Sequence, residues 1–395
     1  MNKPIPNSIA SMQAEMTEWR RDLHEHPELN YEEVRTAGVV AAKLRSWSFD
    51  EVVEGLGKTG VVGILHGHDG PAAGPEKRVL LRADMDALPI HEATGAPHAS
   101  KTPGKMHACG HDGHTTMLLG AAKHLAETRA FSGTLVFVFQ PAEEGGGGAK
   151  AMIDDGLLDR WPVRAAFGMH NHPGSPVGTM GTTPGAALAY ADRFKITLRG
   201  KGGHAAMPHL ADDVIVAGSQ LVTAFQSIVS RRRDPMNPAV ISVTKFSAGS
   251  AYNVLPPEAE LWGTVRVLDQ ALAGQLIEEM RRQCEMISAA MGCTVEAELG
   301  LDAYPVTWND PELTRFAVEV MQEVCGEANV DPDATAVLGG EDFAFFGQVI
   351  PASFIFIGNG DTAPLHHPQY DFNDEISPLG VHYWTRIAER ALPRS

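Results

Sequence analysis

Nine consecutive residues, Met106-His107-Ala108-Cys109-Gly110-His111-Asp112-Gly113-His114, constrain this chain more than any other stretch. His107, Cys109, His111, Asp112 and His114 are all metal-capable or titratable, and only alanine or glycine spaces them. A thiol and an imidazole two residues apart, with glycine between them, can converge on one cation from a tight loop. The fold must bring further ligands to that loop, and the sequence offers the pair Glu143-Glu144, then His170 with His172, then His366-His367. Thiolate, imidazole and carboxylate together suit zinc or a similar divalent metal. A second glutamate beside a ligating one supplies the proton acceptor that a cation-activated water requires. The pattern predicts a metal-dependent hydrolase.

At 395 residues the chain is too long for one ordinary domain and comfortable for two. With 44% hydrophobic and 21% charged residues it is expected to be a soluble globular protein with a sizeable core. A net charge of −17 argues against a nucleic-acid or anionic-membrane partner, because both select basic patches. The one cationic cluster, Arg231-Arg232-Arg233, reads as a solvated helix C-terminus favoured by the helix dipole. Four cysteines make no disulfide framework at this length; Cys284, Cys293 and Cys325 read as buried or half-buried free thiols. Met1 to Asp22 is polar and lacks the apolar core of a signal peptide, and no run of 18 apolar residues predicts a membrane span. A reducing cytoplasm fits these features.

Hydrophobic periodicity predicts helices over Ser8 to Glu25, Glu32 to Ser46 and Gly113 to Glu127, interleaved with strands at Val61 to Leu65, Arg78 to Asp84, Gly133 to Phe139 and Ala165 to Met169. Alternation of strand and helix is the pattern of an α/β sheet covered by helices. Glu143-Glu144 and His170 stand just past strand ends, where such sheets build their sites. From Asp192 the strands alternate, with one wet face: Phe194 to Leu198, Ala239 to Phe246, Ala259 to Val267 and Thr294 to Leu299. Helices at Asp212 to Arg232 and Gln270 to Met291 complete a β-α-β-β-α-β unit of ferredoxin-like order. After about Asp302 the α/β pattern resumes, with a helix at Pro311 to Cys325 and a strand at Ala352 to Gly358. The expected division is a catalytic domain of residues 1–187 and 303–395, interrupted by an inserted domain of residues 188–302.

Adjacent carboxylates point in different directions, so one of Glu143 and Glu144 can ligate while the other faces water. His170 follows an apolar strand, and either His366 or His367 can complete the set. His204 stands behind three glycines on a turn of the inserted domain and could donate a hydrogen bond to a developing oxyanion. Asp84 follows a buried strand, where it could ligate a metal or orient a ligating histidine; Asp86 reads as a turn or helix cap.

These stretches together resemble the M20 metallopeptidase family, in its amidohydrolase branch of hippurate hydrolases, bacterial N-acyl-amino-acid amidohydrolases and plant auxin-conjugate hydrolases. The resemblance rests on Arg21 to Leu29, Leu81 to Pro89, Met106 to His114, Phe139 to Gly146 and Gly202 to Ala206. Asn253-Val254-Leu255-Pro256, Gly339 to Phe343 and Leu365-His366-His367-Pro368 extend it over nearly the whole chain. It implies a zinc-peptidase-like α/β fold, a mixed sheet covered by helices, with an inserted ferredoxin-like α+β lid that makes a homodimer or dimer-based tetramer. It implies two divalent metal ions per subunit (zinc, manganese, cobalt or nickel), with Cys109, His111, Glu144, His170 and His367 as ligands. Glu143 is then the general base, and His204 a lid histidine that reaches the active site of the partner subunit. Asn253 and Arg266 would contact the substrate carboxylate, and Asp84 and Asp112 would support the ligands from behind. Peptidase branches carry a ligating histidine in a His-x-Asp motif where this chain has Arg82, so the first metal site is expected to be built differently. The implied reaction is hydrolysis of an N-acyl or N-aroyl amino acid. The alternative is a dipeptidase or aminopeptidase of the same fold.

Overall fold

The computed structural model describes residues 5–300 and 302–394. It divides into two compact units. The first comprises the described residues up to Ala187, Trp308–Thr335 and those from Asp342 onward; the second comprises Leu188–Thr307 and Ala336–Glu341.

The first unit is built on an eight-stranded mixed sheet. Its strands β1 (Glu51–Leu56), β2 (Gly60–His66), β3 (Arg78–Asp84), β4 (Thr134–Gln140) and β5 (Ala165–Pro173) are joined by Ala352–Gly360, Met180–Gly181 and Val330–Asp331. The spatial order is β1, β2, β4, β3, β5, Ala352–Gly360, Met180–Gly181, Val330–Asp331. β3 runs parallel to both β4 and β5, and β5 runs parallel to Ala352–Gly360. All seven residues of β4 are buried, as are six of the seven in β3. The continuous apolar run of β4, from Leu135 to Phe139, follows from cover on both faces. β1 escapes a periodicity reading because it is an edge strand: two glutamates and a glycine interrupt its apolar residues, and it pairs only with β2.

The helices that cover this sheet start with α1 (Asn7–Ala10), α2 (Gln13–Glu25), α3 (Val34–Ser46) and α4 (His111–Thr128). The single helix expected over Ser8 to Glu25 is broken at Ser11 and Met12, where the Ser11 hydroxyl donates to the Ser8 carbonyl at 3.1 Å. A last helix, Ser377–Ala391, opens with proline in its first turn and buries Val381, Trp384, Ile387 and Ala388 on one face. Sequence periodicity had marked no element there.

The inserted unit has a four-stranded antiparallel sheet in the order Ala239–Ala248, Glu258–Val267, Tyr190–Arg199, Thr294–Glu298. Along Glu258–Val267 alternate residues are buried, among them Leu261 and Val265. Helices Val214–Arg231 and Gln270–Ala290 bury Leu221, Phe225, Leu276 and Met280. Asp213 and Asp269 each cap one of these helices by accepting two backbone N–H groups, worth about 1 kcal/mol per cap. The chain leaves this unit at Thr307, later than its composition suggests, and returns for Ala336–Glu341. The return is made by backbone: the Ala189 N–H is shared between the carbonyls of Val337 and Gly339. No helix among the described residues is long and apolar enough to cross a membrane.

Candidate metal centre

Because β3, β4 and β5 are parallel, their C-terminal ends share one edge of the sheet. β3 delivers Asp84, with Asp86 two residues on; β4 delivers Glu143-Glu144 beyond Pro141; β5 carries His170 and Asn171. α4 begins at His111, directly after Cys109-Gly110. Gly110 has a left-handed backbone (φ 95°), and a Cβ there would lie 2.3 Å from Asn171 Nδ2 and 2.5 Å from the Tyr370 hydroxyl. Glycine is therefore the residue that lets the loop close on β5. The Asn171 side chain fastens the closure: its Nδ2 donates to the Cys109 carbonyl at 2.8 Å, and its Oδ1 accepts from the Tyr370 hydroxyl at 2.8 Å.

The ligand atoms of Cys109, His111 and His170 lie within 4.8 Å of one another. The same holds for Cys109, Glu144 and His366, and for His111, Glu143 and Glu144. Cys109 Sγ is 3.4 Å from His170 Nε2, and His366 Nε2 is 3.2 Å from Glu144 Oε1. Hydrogen bonds fix how the imidazoles face. His170 Nδ1 donates to the Asn171 carbonyl at 2.7 Å, which turns Nε2 towards the thiol. His111 Nδ1 stands 3.2 Å from Asp86 Oδ1, and its Nε2 is buried with no hydrogen-bond partner. Asp86 Oδ2 also accepts from the Glu144 N–H at 2.9 Å, so one carboxylate orients two candidate ligands.

Electrostatics fit a cation here. Burial pushes the Cys109 thiol well above its ordinary range, and Glu144, Glu143 and Asp84 push it further. Burial opposes a proton on His111, but Asp84, Asp86 and Glu144 prevail and raise it to about 10. Buried carboxylates thus demand positive charge at the point where a thiol and an orphaned imidazole nitrogen meet. A divalent cation supplies that charge and displaces both protons.

Several expected residues take other places. His366, not His367, adjoins Glu144: His366 adopts a left-handed backbone (φ 63°) and its N–H donates to the Ala108 carbonyl, whereas His367 Nδ1 accepts from the Gln369 N–H. His114 also approaches Asp84 and His111, but both its nitrogens are used, Nδ1 donating to Asp84 at 2.7 Å and Nε2 accepting from the Asn171 N–H at 3.0 Å. Asp84 orients His114 and stays 3.7 Å from His111 Nε2. Arg82 is wholly buried and bridges Asp84 at 2.8 Å and Asp342 at 2.9 Å. Asp112 faces away from the cluster and ties the first turn of α4 to α2: it lies 2.8 Å from His24 Nδ1 and 3.5 Å from Arg20 Nη1, all three groups being buried. Glu143 accepts from the Asp342 N–H at 3.3 Å. All four cysteines are buried and unpaired.

In the inserted unit, His204 is exposed on the short strand Gly203–His204, which pairs with Val254–Leu255. Asn253 is beside it, its carbonyl accepting from the Ala205 N–H at 3.1 Å. Arg266 is half-buried and donates to the Asp192 carbonyl at 3.2 Å. Asp86, Asn171 and His366 are the site residues that sequence reasoning missed or passed over. The Asp84-Met85-Asp86 spacing was a signal for the first, since it puts two carboxylates at one strand end.

Residues 80–390 match the model of peptidase family M20/M25/M40. Hippurate hydrolase of Campylobacter jejuni is 41% identical over 97% of this chain and 98% of its own. N-acetylcysteine deacetylase of Bacillus subtilis is 41% identical over 93% of this chain and 94% of its own. The solved structure of the Bacillus subtilis YXEP protein, a dinuclear metal binding peptidase from the M20 family, superposes with a TM-score of 0.80 at 35% identity, covering 97% of this chain and 99% of that one. With the family model spanning most of its length and relatives this close matched nearly end to end, the chain belongs to peptidase family M20/M25/M40.

Proposed function

We propose that this protein is a metal-dependent amidohydrolase that splits the amide of an N-acyl or N-aroyl amino acid into a carboxylic acid and a free amino acid. The observation that carries the reading is Glu143, buried beside a sulfur, nitrogen and oxygen ligand set, with one oxygen held by the Asp342 N–H. The printed activities of the hippurate and N-acetylcysteine relatives support the substrate class. Two divalent cations of the zinc, manganese, cobalt or nickel type, held by Cys109, His111, Glu144, His170 and His366, would polarise the substrate carbonyl and acidify the attacking water. Glu143 takes the proton from that water and returns it to the leaving nitrogen as the C–N bond breaks. The Asp342 N–H keeps one Glu143 oxygen oriented meanwhile. His204 is assigned to the tetrahedral oxyanion, and Asn253 and Arg266 to the substrate carboxylate.

The inserted unit serves in this reading as lid and dimer contact. In its support, Ala239–Ala248 is an edge strand, and Phe246, Tyr252, Met207 and Leu210 are exposed apolar side chains of that unit. A reducing cytoplasm accounts for four free thiols.

The test is a panel of hippurate, N-acetyl amino acids, indoleacetyl conjugates and free dipeptides, run on chelated enzyme and again with each divalent metal added back. Activity should vanish on chelation and return with metal, on the acylated substrates. Full activity in metal-free protein, or a preference for free dipeptides, would overturn the reading.

A further inference from the structure

Ala142, directly before Glu143-Glu144, has a left-handed backbone with φ 52°. Residues with a Cβ rarely adopt that conformation, and they persist there only when the surroundings impose it. Four consecutive glycines, Gly145 to Gly148, follow the pair, so the loop has little stiffness of its own. The N–H of Ala142 is held by Glu33. Its carboxylate is fully buried, and Oε1 accepts from the Ala142 N–H at 2.8 Å while Oε2 accepts from the Thr59 hydroxyl at 2.5 Å. Glu33 is the N-cap residue of α3, yet its side chain does not cap the helix. Glu28 does that instead, accepting from the N–H groups of Arg35 at 2.9 Å and Thr36 at 2.8 Å. The same segment grips the loop twice more: Asn30 Nδ2 donates to the Glu144 carbonyl at 2.6 Å, and the Tyr31 hydroxyl to the Gly146 carbonyl at 2.7 Å.

We infer that Glu33 is a positioning residue for this loop: it holds Ala142 left-handed, and that backbone setting sends Glu143 towards the proton to be moved and Glu144 towards the metal ligands. The inference rests on the roles given to those two glutamates above. A right-handed or extended Ala142 would rotate the peptide that follows it and swing both carboxylates together. A buried glutamate with no charged partner among its bonds is a burden to the fold, and holding the loop is the use the structure shows for it. Burial pushes its carboxyl above the ordinary range, and a neutral side chain of the same shape keeps both bonds. Glutamine's Oε1 accepts from Ala142 and its Nε2 donates to Thr59.

The test compares E33A, E33Q, A142G and E33A/A142G for kcat, KM, metal retention against a competing chelator, thermal midpoint and amide exchange at Ala142. E33A should lower kcat by about tenfold or more with little change in KM, retain metal less tightly and exchange the Ala142 N–H faster. E33Q should stay within about threefold of the parent on every readout. In E33A/A142G, glycine reaches the left-handed region unaided, so kcat should recover although the thermal midpoint does not. Should E33A fail to fold, E33D withdraws the carboxylate by one methylene while keeping its charge, and the same kcat loss is expected. A folded E33A or E33D with parental kcat would overturn the inference, as would E33Q behaving like E33A, or no recovery in the double variant. E143A separates the two levels: near-parental turnover in E143A would remove the catalytic reading, whereas chelator competition and amide exchange still decide what Glu33 does.

Discussion

The buried link between α2 and α4 makes a prediction about pH. His24 and Asp112 stand 2.8 Å apart with no exposure. Burial disfavours the charged imidazole, but Asp112 and Glu92 outweigh it and raise His24 from 6.5 to about 9. A histidine whose folded value lies above its unfolded one adds stability in full below pH 6.5, and that stability is lost as pH climbs through 9. Two and a half pH decades at about 1.4 kcal/mol per decade make about 3.5 kcal/mol. H24Q removes the titration while its Nε2 can still donate to Asp112. Denaturant unfolding of parent and H24Q, both in excess chelator, isolates the histidine because every other group titrates in both proteins. Tryptophan fluorescence suits the assay: Trp19, Trp47, Trp161, Trp308 and Trp384 lie in the first unit and only Trp262 in the inserted one. The advantage of parent over H24Q should be level up to pH 6.5, fall by about 3.5 kcal/mol by pH 9 and level again. Parallel profiles, or an advantage that grows on the alkaline side, would refute the reasoning.

Further outcomes follow from the site. E143A should bind metal and fold normally but lose turnover by about 10²–10⁴, whereas E144A should lose metal; metal analysis beside kcat separates them. H366A should release metal and H367A should keep it, a comparison that equilibrium dialysis settles directly. H204A should lower kcat by about 10²–10³ with metal content unchanged, and co-expressed H204A and E143A should regain activity in confirmed heterodimers if the histidine serves the neighbouring subunit.

The parts legible in sequence were those with a period. β3, at Arg78–Asp84, and the helix Pro311–Cys325 have the bounds their patterns suggest, because the apolar residues Val79 to Leu81 mark the buried strand and a proline after aspartate announces a helix start. The order of the inserted sheet likewise follows from alternating strands and amphipathic helices. The candidate ligand loop was visible because its residue types are rare together. What stayed hidden depends on handedness and distant pairing. His366 and His367 are chemically identical, and only a positive φ at His366 turns that imidazole rather than its neighbour towards Glu144. Asp86 read as a turn residue because nothing local shows that its two oxygens reach His111 and the Glu144 N–H. Asp112 belonged to the candidate ligand loop by position but turns to Arg20 and His24, partners about ninety residues earlier. β1 and the helix Ser377–Ala391 were missed for a different reason: an edge strand tolerates polar interruptions, and the final helix buries His382 and Thr385 beside its apolar residues, which blurs its period.

The interrupted first unit also dictates an order of events during synthesis. β5 pairs directly with Ala352–Gly360, yet roughly 180 residues separate them, about 10–40 s of translation at typical rates. Cys109, His111, Glu144 and His170 have all been made before that interval begins, while His366 and the helix Ser377–Ala391 arrive after it. The inserted unit, nearly contiguous in sequence, can fold while the other waits. During that time β5 has an open edge and the thiol and imidazoles have no closing wall. A chain cut short anywhere before residue 352 would therefore be a trap for stray thiophilic metal and an aggregation template rather than a slow enzyme.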